Sequence, residues 1–284
     1  MMKSIQDRIE LNNGYKIPCV GFGTYNASPE EAEEAVAAAI RAGYRHIDGA
    51  AFYGNETGVG AGIRNSGIPR EEIFVTGKVW KADRGYDKTM AAFEKSLKDL
   101  GLEYLDLYLI HWPANYLVYG DDWKKVNRDT WKALEELYRA GRIKAIGVSN
   151  FLAHHLEALL ETADIVPAVN QIELHPGWYQ RSVLKYCRDH GILCEAWSPM
   201  GRKEVLDNET ITALAEKYKK TPAQICIRWV LQHGAVPLPK SVHPERMKSN
   251  GEVFDFELSA EDMALLDRLE NIGGRCLKPD EQTE

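Results

Sequence analysis

The sequence predicts a closed (β/α)8 barrel, the TIM-barrel class, in which eight parallel strands alternate with helices. Short apolar or β-branched runs, such as residues 73–78 and 105–111, are separated by helical patterns, and this alternation is typical of a parallel sheet. The predicted strand ends lie near Thr24, Asp48, Lys78, His111, Ser149, Gln171, Trp197 and Lys240. They are about 31 residues apart on average, and the 284 residues of the chain suffice for a barrel of this class, which commonly takes about 250.

A β-hairpin is predicted ahead of the barrel, at about residues 7–18. Apolar and polar residues alternate on both sides of Asn13-Gly14, and Asn-Gly is a strong short hairpin signal. We expect this hairpin to close the bottom of the barrel. No linker, repeat or low-complexity run interrupts the chain, so we predict one domain over residues 1–284. Its short polar tail, about residues 271–284, is expected to be a loose cover.

Helix boundaries follow ordinary start and stop signals. Ser28 precedes a proline and is followed three positions later by Glu31, as in a capping box, and Gly43 ends the pattern. The same signals recur at Thr221 and Gly234. The barrel helices are therefore predicted with defined ends.

Composition excludes several classes of partner. The chain has 42 acidic and 35 basic residues, a net charge of −7, which argues against nucleic acid or an anionic membrane as the main partner. No apolar run has the length of a signal peptide core or a membrane span. The five cysteines include no Cys-x-x-Cys pair and suggest neither a disulfide framework nor a metal site. We expect a cytoplasmic protein.

Four titratable residues come from three predicted strand ends, which indicates one active site. They are a carboxylate, a phenol, an ammonium and an imidazole: Asp48, Tyr53, Lys78 and His111. A phenol ordinarily titrates near ~10, so it is a better acid beside a cation that a carboxylate anchors. This combination suits protonation of a carbonyl oxygen. Each residue alone would more often be structural, but barrel enzymes place their chemistry at carboxyl ends of strands.

A set of short motifs recurs at the predicted strand ends: Gly23-Thr24, Asp48, residues 53–56, Lys78, residues 111–113 and 147–150, Asn170-Gln171 and residues 238–241. With these motifs the chain resembles the aldo-keto reductases from about residue 8 to residue 258. Trp197, where many members have tyrosine, resembles the bacterial diketogluconate-reductase-like branch. The resemblance implies a (β/α)8 barrel and NADPH-dependent reduction of aldehydes or ketones. It makes Tyr53 the proton donor, His111 the residue that orients the carbonyl, and Lys78, linked to Asp48, the cation that lowers the pKa of the phenol.

No Gly-x-Gly-x-x-Gly follows a strand, so a Rossmann site is excluded; the glycines of residues 58–62 instead suit a closely packed helix face. The resemblance places the cofactor against Gly23 and Thr24, the nicotinamide carboxamide against Ser149, Asn150 and Gln171, and the ring on Trp197. These short polar side chains can pair with the donor and acceptor atoms of the amide.

NADPH is favoured over NADH by residues 240–246. Lys240, Ser241 and Arg246 surround the predicted start of a short helix, where cations and free amides bind phosphate. The resemblance places adenine at Asn250, although Ser249 replaces the glutamate common in the family and removes an anchoring contact.

The substrate pocket is predicted to be aromatic, lined by Phe22, Tyr25, Trp80 and Trp112. The segment at residues 200–207 and the tail are short, so we expect an open mouth and broad reduction of small aldehydes, α-dicarbonyls and keto-sugars by a monomer.

Two alternatives remain at this stage. One is a regulatory or sensing subunit that binds NADPH with little turnover, which the four intact titratable residues disfavour. The other is a lyase or isomerase in which Lys78 forms a Schiff base with substrate.

Overall fold

A computed structural model describes residues 2–283. Met1 and Glu284, the ends of the predicted domain and tail, lie outside the described residues. The strands are β1 (Arg8–Glu10), β2 (Lys16–Pro18), β3 (Phe22–Gly23), β4 (His46–Asp48), β5 (Phe74–Val79), β6 (Leu105–Ile110), β7 (Ile143–Ser149), β8 (Val169–Glu173), β9 (Leu193–Trp197) and β10 (Val236–Leu238).

Strands β3 to β10 form one parallel sheet in sequence order, and the sheet curls into a barrel. Its two edge strands meet, because the backbone N–H of Gly21 donates to Pro237 O at 3.0 Å and that of Gly23 donates to Pro239 O at 3.0 Å. The predicted (β/α)8 class is confirmed.

Strands β1 and β2 form the predicted hairpin, paired antiparallel with Ile9 opposite Ile17. Its connection is longer than a two-residue Asn-Gly turn, since the N–H of Leu11 bonds the carbonyl of Tyr15. Leu11 and Ile17 pack with apolar side chains of β5 to β8 inside the barrel. The hairpin therefore closes the amino-terminal end of the barrel.

Helices cover the outside of the sheet. They are α1 (Pro29–Arg41), α2 (Glu56–Asn65), α3 (Tyr86–Leu100), α4 (Tyr116–Tyr119), α5 (Trp123–Arg139), α6 (Ala153–Leu160), α7 (Arg181–Asp189), α8 (Lys203–Leu206), α9 (Glu209–Tyr218), α10 (Pro222–Gln232), α11 (Pro244–Gly251) and α12 (Ala260–Leu266). Ser28 and Thr221 form the predicted capping boxes at α1 and α10.

None of the helices within residues 2–283 combines the length and the apolar character that a membrane span requires.

Helix α2 packs closely through its glycines, as predicted. A Cβ atom would lie 1.8 Å from Pro29 O at Gly58, and 1.9 Å from Leu100 O at Gly60. Only hydrogen side chains let the neighbouring backbones approach this near.

The described tail residues are tied to the barrel, which corrects the expectation of a loose cover. The side-chain amide of Asn115 donates to the carbonyls of Pro279 and Gln282 at 2.9 and 2.8 Å. The buried Glu173 accepts the backbone N–H of Arg275 at 2.6 Å. The composition of the tail could not predict these contacts. The tail contributes backbone atoms to them, and the polarity of its side chains does not reveal backbone contacts.

Candidate active site

A buried ammonium lies at the centre of the site, at the carboxyl end of β5. Lys78 Nζ lies 2.8 Å from each carboxylate oxygen of Asp48, at the end of β4, and 3.0 Å from the carbonyl oxygen of Gly49. Burial opposes the charged form, but the charges and hydrogen bonds of Asp48 and Tyr53 together outweigh it and raise the pKa of Lys78. The lysine is therefore a stable cation, unsuited to attack a carbonyl as a neutral amine.

Tyr53 ends a short turn at residues Ala51–Tyr53 and brings its hydroxyl to this cation. Lys78 Nζ donates to Tyr53 Oη at 3.3 Å. Burial raises the pKa of Tyr53, and Lys78 only partly offsets this. The cation acts in the predicted direction, although desolvation of the phenolate outweighs its attraction and leaves the pKa raised.

His111 follows β6 and lies beside the phenol. The ring centroids of Tyr53 and His111 are 5.8 Å apart at 77°. Burial, with the positive charge of Lys78, lowers the pKa of His111 well below its usual value. The imidazole is therefore neutral, with one N–H to donate, and its Nδ1 has no hydrogen-bond partner within residues 2–283.

Three of the predicted nicotinamide residues, Ser149, Asn150 and Trp197, form a connected group at the carboxyl ends of β7 and β9. Asn150 has a left-handed backbone, φ 63°, which asparagine tolerates better than most residues. Its side-chain amide donates to the carbonyl of His111 at 2.9 Å, and its oxygen accepts from Trp197 Nε1 at 2.8 Å. Ser149 Oγ donates to the carbonyl of Gln171 at 2.8 Å.

Gln171 lies one layer deeper, toward the amino-terminal end of the strands. Its Nε2 donates to Asp48 Oδ1 at 2.8 Å and to Glu195 Oε2 at 2.9 Å. Thr24 also joins the catalytic strand ends, since its Oγ1 donates to the carbonyl of Asp48 at 2.9 Å. Gly23 approaches β10 so closely that a Cβ would lie 3.3 Å from Leu238 O.

The predicted phosphate residues gather at the start of α11, with Pro244 in its first turn. Ser241 is buried, Lys240 is half-buried and Arg246 is exposed. In the described part of the chain neither cation forms an ion pair with a carboxylate. Asn250 lies buried near the end of the same helix.

Three of the four predicted pocket aromatics lie around the catalytic group. The Tyr25 ring lies 5.0 Å from that of Tyr53, and Trp80 lies 5.0 Å from His111. Trp112 is 8% exposed, directly after His111. Phe22 is not at the mouth: it packs in the core, 5.7 Å from Tyr44. Phe52, which was not predicted, stacks on Trp80 at 3.7 Å.

The tail passes over this mouth, which is therefore less open than predicted. Arg275 Nη2 donates to Tyr25 Oη at 2.8 Å. Further along, Asp280 Oδ1 lies 3.1 Å from Nε2 of both His154 and His155. These contacts reach the loop that follows β3 and the first turn of α6.

Several functional neighbours were missed by sequence reasoning, including Glu173, Glu195 and His46. Each is fully buried inside a barrel strand. Each stands two positions from a predicted site residue, since His46 precedes Asp48, Glu195 precedes Trp197 and Glu173 follows Gln171. Residues two apart in a strand share a face, so a period of two along each strand could have found them.

A family model supplies the deciding comparison. The model described as "Aldo/keto reductase family" matches residues 19–271. This chain belongs to the aldo/keto reductase family. A glyoxal reductase of Bacillus subtilis (strain 168) is 52% identical over 270 residues, which cover 95% of each chain.

Solved structures agree with the family. A mutant of the protein Gox0644, solved in complex with NADPH, superposes with a TM-score of 0.90 at 40% identity, covering 100% of both chains. The Bombyx mori aldo-keto reductase in complex with NADP gives a TM-score of 0.87 at 36% identity, covering 98% of this chain and 96% of that one. The predicted class of enzyme, an NADP-dependent oxidoreductase that reduces carbonyl groups, is confirmed.

The residues present fit this cofactor. The indole of Trp197 is half-buried, and the unpaired cations at the start of α11 suit a phosphate group.

Proposed function

We propose that this aldo/keto reductase reduces small aldehydes, α-dicarbonyls or keto-sugars to alcohols, with Tyr53 giving its proton to the carbonyl oxygen. The observation that carries the proposal is the 3.3 Å contact between Lys78 Nζ and Tyr53 Oη. A cation that is itself fixed by Asp48 stabilises the phenolate left after proton transfer. NADPH, when bound, supplies the hydride that the carbonyl carbon receives.

His111 orients the substrate in this proposal. A neutral imidazole can donate one hydrogen bond to the carbonyl oxygen without competing with Tyr53 as an acid. Its low pKa keeps it in that form at neutral pH. The Asn150 amide, bonded to the carbonyl of His111, fixes the loop that carries the imidazole.

The cofactor is held from both ends. We assign Gly23, Thr24, Ser149, Asn150, Gln171 and Trp197 to the nicotinamide end, and Lys240, Ser241, Arg246 and Asn250 to the adenosine end. Relatives solved with NADP and NADPH support this assignment. The two unpaired cations support a preference for the 2′-phosphate of NADPH over NADH.

The pocket suits small or planar carbonyl compounds. Tyr25, Trp80 and Trp112 give it apolar walls, and the tail narrows the mouth on the side of Tyr25. A relative named glyoxal reductase supports α-dicarbonyls as substrates. We therefore favour compounds smaller than steroids.

We also propose that the protein is a monomer of the cytoplasm. All catalytic groups come from one chain, which supports a monomer of one domain over residues 1–284. The five cysteines are free, which supports a reducing compartment such as the cytoplasm.

The test follows NADPH absorbance with methylglyoxal, a nitrobenzaldehyde and a keto-sugar, with NADH in parallel. We expect turnover with NADPH well above that with NADH, and loss of this preference in Arg246→Ala. Lys248→Ala, an exposed cation of the same helix, is the matched control. No turnover despite tight NADPH binding would favour a sensing subunit, and borohydride trapping of substrate on Lys78 would favour Schiff-base chemistry.

A further inference from the structure

A polar layer lies inside the barrel, one layer below the catalytic group. It consists of His46, Thr76, Gln171 and Glu195, whose side chains are at most 2% exposed. Interiors of such barrels are usually filled by branched apolar side chains, and a buried carboxyl group tends to lower stability. Four polar side chains in this place therefore indicate a part in the reaction.

Glu195 is joined to the proton donor by four consecutive hydrogen bonds. Glu195 and Gln171 are opposite each other in the register of β9 and β8, and Gln171 Nε2 links Glu195 Oε2 to Asp48 Oδ1. Asp48 in turn holds Lys78, and Lys78 contacts the hydroxyl of Tyr53. A change at Glu195 reaches the phenol through this chain.

The two carboxyl groups also fix the amide of Gln171. Both of its N–H hydrogens point at carboxyl oxygens. A flipped amide would place its oxygen against the carboxylate of Asp48, which is repulsive. Only the Oε1 acceptor of Gln171 is left for the nicotinamide carboxamide.

We propose that Glu195 is a positioning residue for carbonyl reduction. It holds the side-chain amide of Gln171 and, through that amide, the carboxylate of Asp48, and the negative charge that Glu195 gains on ionisation slows the reaction. This inference rests on the proposed function. A second negative charge beside Asp48 stabilises the protonated phenol, so Tyr53 becomes a weaker acid.

The groups that face Glu195 are consistent with a slower reaction once Glu195 is ionised. Asp48 and His46 approach from β4 and Lys78 from β5, while β10 pairs beside it through Val236. Burial, then the charge of Asp48, raises the pKa of Glu195 to about 8. His46 is neutral, because burial lowers its pKa to about 3, so it does not neutralise the carboxylate.

The experiment compares kcat for methylglyoxal reduction in wild type and Glu195→Gln between about pH 6 and pH 10. We expect wild-type kcat to fall as the pH rises through about 8. In Glu195→Gln we expect kcat to fall only at a pH at least about one unit higher. Glu135→Gln is the control. Its carboxylate is buried and accepts two backbone N–H groups away from the site, so its profile should match the wild type.

The remaining results separate the inference from the proposed function. Coincident profiles of wild type and Glu195→Gln, or an equal loss of kcat at every pH, would overturn the inference and leave the proposed function intact. No wild-type turnover at any pH would overturn the proposed function, and the inference with it. If Glu195→Gln does not fold, 13C NMR of labelled glutamate in the wild type replaces it, and the absence of a carboxyl group titrating where kcat falls overturns the inference.

Discussion

At the scale of single residues, the site is organised by one buried cation. Lys78 has four oxygen neighbours within 3.3 Å, two from Asp48, one from Gly49 and one from Tyr53. The buried charges of Lys78 and Asp48 are therefore each compensated only while the other residue is present. The catalytic group and part of the core's stability depend on the same contacts.

Lys78→Met is expected to lower the free energy of unfolding by roughly 3–5 kcal/mol, because it leaves Asp48 buried without its cation. Denaturant unfolding measures this. The double variant Lys78→Met/Asp48→Asn should recover at least half of the loss while remaining inactive. A double variant no more stable than Lys78→Met would contradict the pairing.

At the scale of elements, each strand brings its chemistry to one end of the barrel, and helices and tail fix the loops around it. Helix α2 follows Tyr53 directly and packs against α1 through its glycines. The tail crosses the loops on the other side. Both elements position residues that they do not themselves contain.

Gly58→Ala is expected to destabilise the protein by about 1–3 kcal/mol or more, since the new Cβ would lie 1.8 Å from Pro29 O. Thermal unfolding checks this. Thr57→Ala, an exposed neighbour in α2, should change stability by less than about 0.5 kcal/mol. Equal effects of the two substitutions would show that stability does not depend on the close packing at Gly58.

Asp280→Asn is expected to loosen the tail. His155 Nδ1 accepts the N–H of Leu152, so the proton of the neutral ring is on Nε2, which points at Asp280 Oδ1 at 3.1 Å. The aspartate is 51% exposed, so we expect only about a two- to fivefold faster hydrogen exchange over residues 275–283.

The matched control is Asp207→Asn, which removes an exposed ion pair with Lys203 outside the tail. It should leave exchange in residues 275–283 unchanged. If Asp280→Asn has no larger effect than this control, the histidine contacts do not hold the tail.

At the scale of the whole molecule, the barrel interior is divided into an apolar layer sealed by the hairpin and a polar layer below the catalytic group. The polar layer makes stability depend on pH. Because the folded-state pKa of Glu195 is raised from 4.5 to about 8, its contribution to stability is fully present below 4.5 and is lost as pH rises through 8.

Glu195→Gln should therefore be more stable relative to wild type at pH 8 than at pH 5. We expect the difference in Tm between the two proteins to grow by at least about 3 °C over this interval. Calorimetry at both pH values measures it. A difference in Tm that does not change with pH would mean that Glu195 does not titrate in this range.

Much of this architecture could be predicted from sequence, because strand period and the chemistry of strand ends are local signals. The positions of Asp48, Lys78 and His111 followed from them. Phe22 was misplaced because a strand of only two residues gives no period from which to choose a face. The bond from Gln171 to Asp48 joins residues 123 positions apart, which only closure of the barrel brings together.

The most direct test of Tyr53 as the proton donor is single-turnover reduction of methylglyoxal by wild type and Tyr53→Phe, with NADPH affinity measured on both. We predict a rate lower by about 10²–10⁴ with affinity within about twofold, because only the hydroxyl is removed. Tyr25→Phe, whose ring lies 5.0 Å from that of Tyr53, should keep most of the rate. A Tyr53→Phe variant that retains most of its activity would contradict the mechanism.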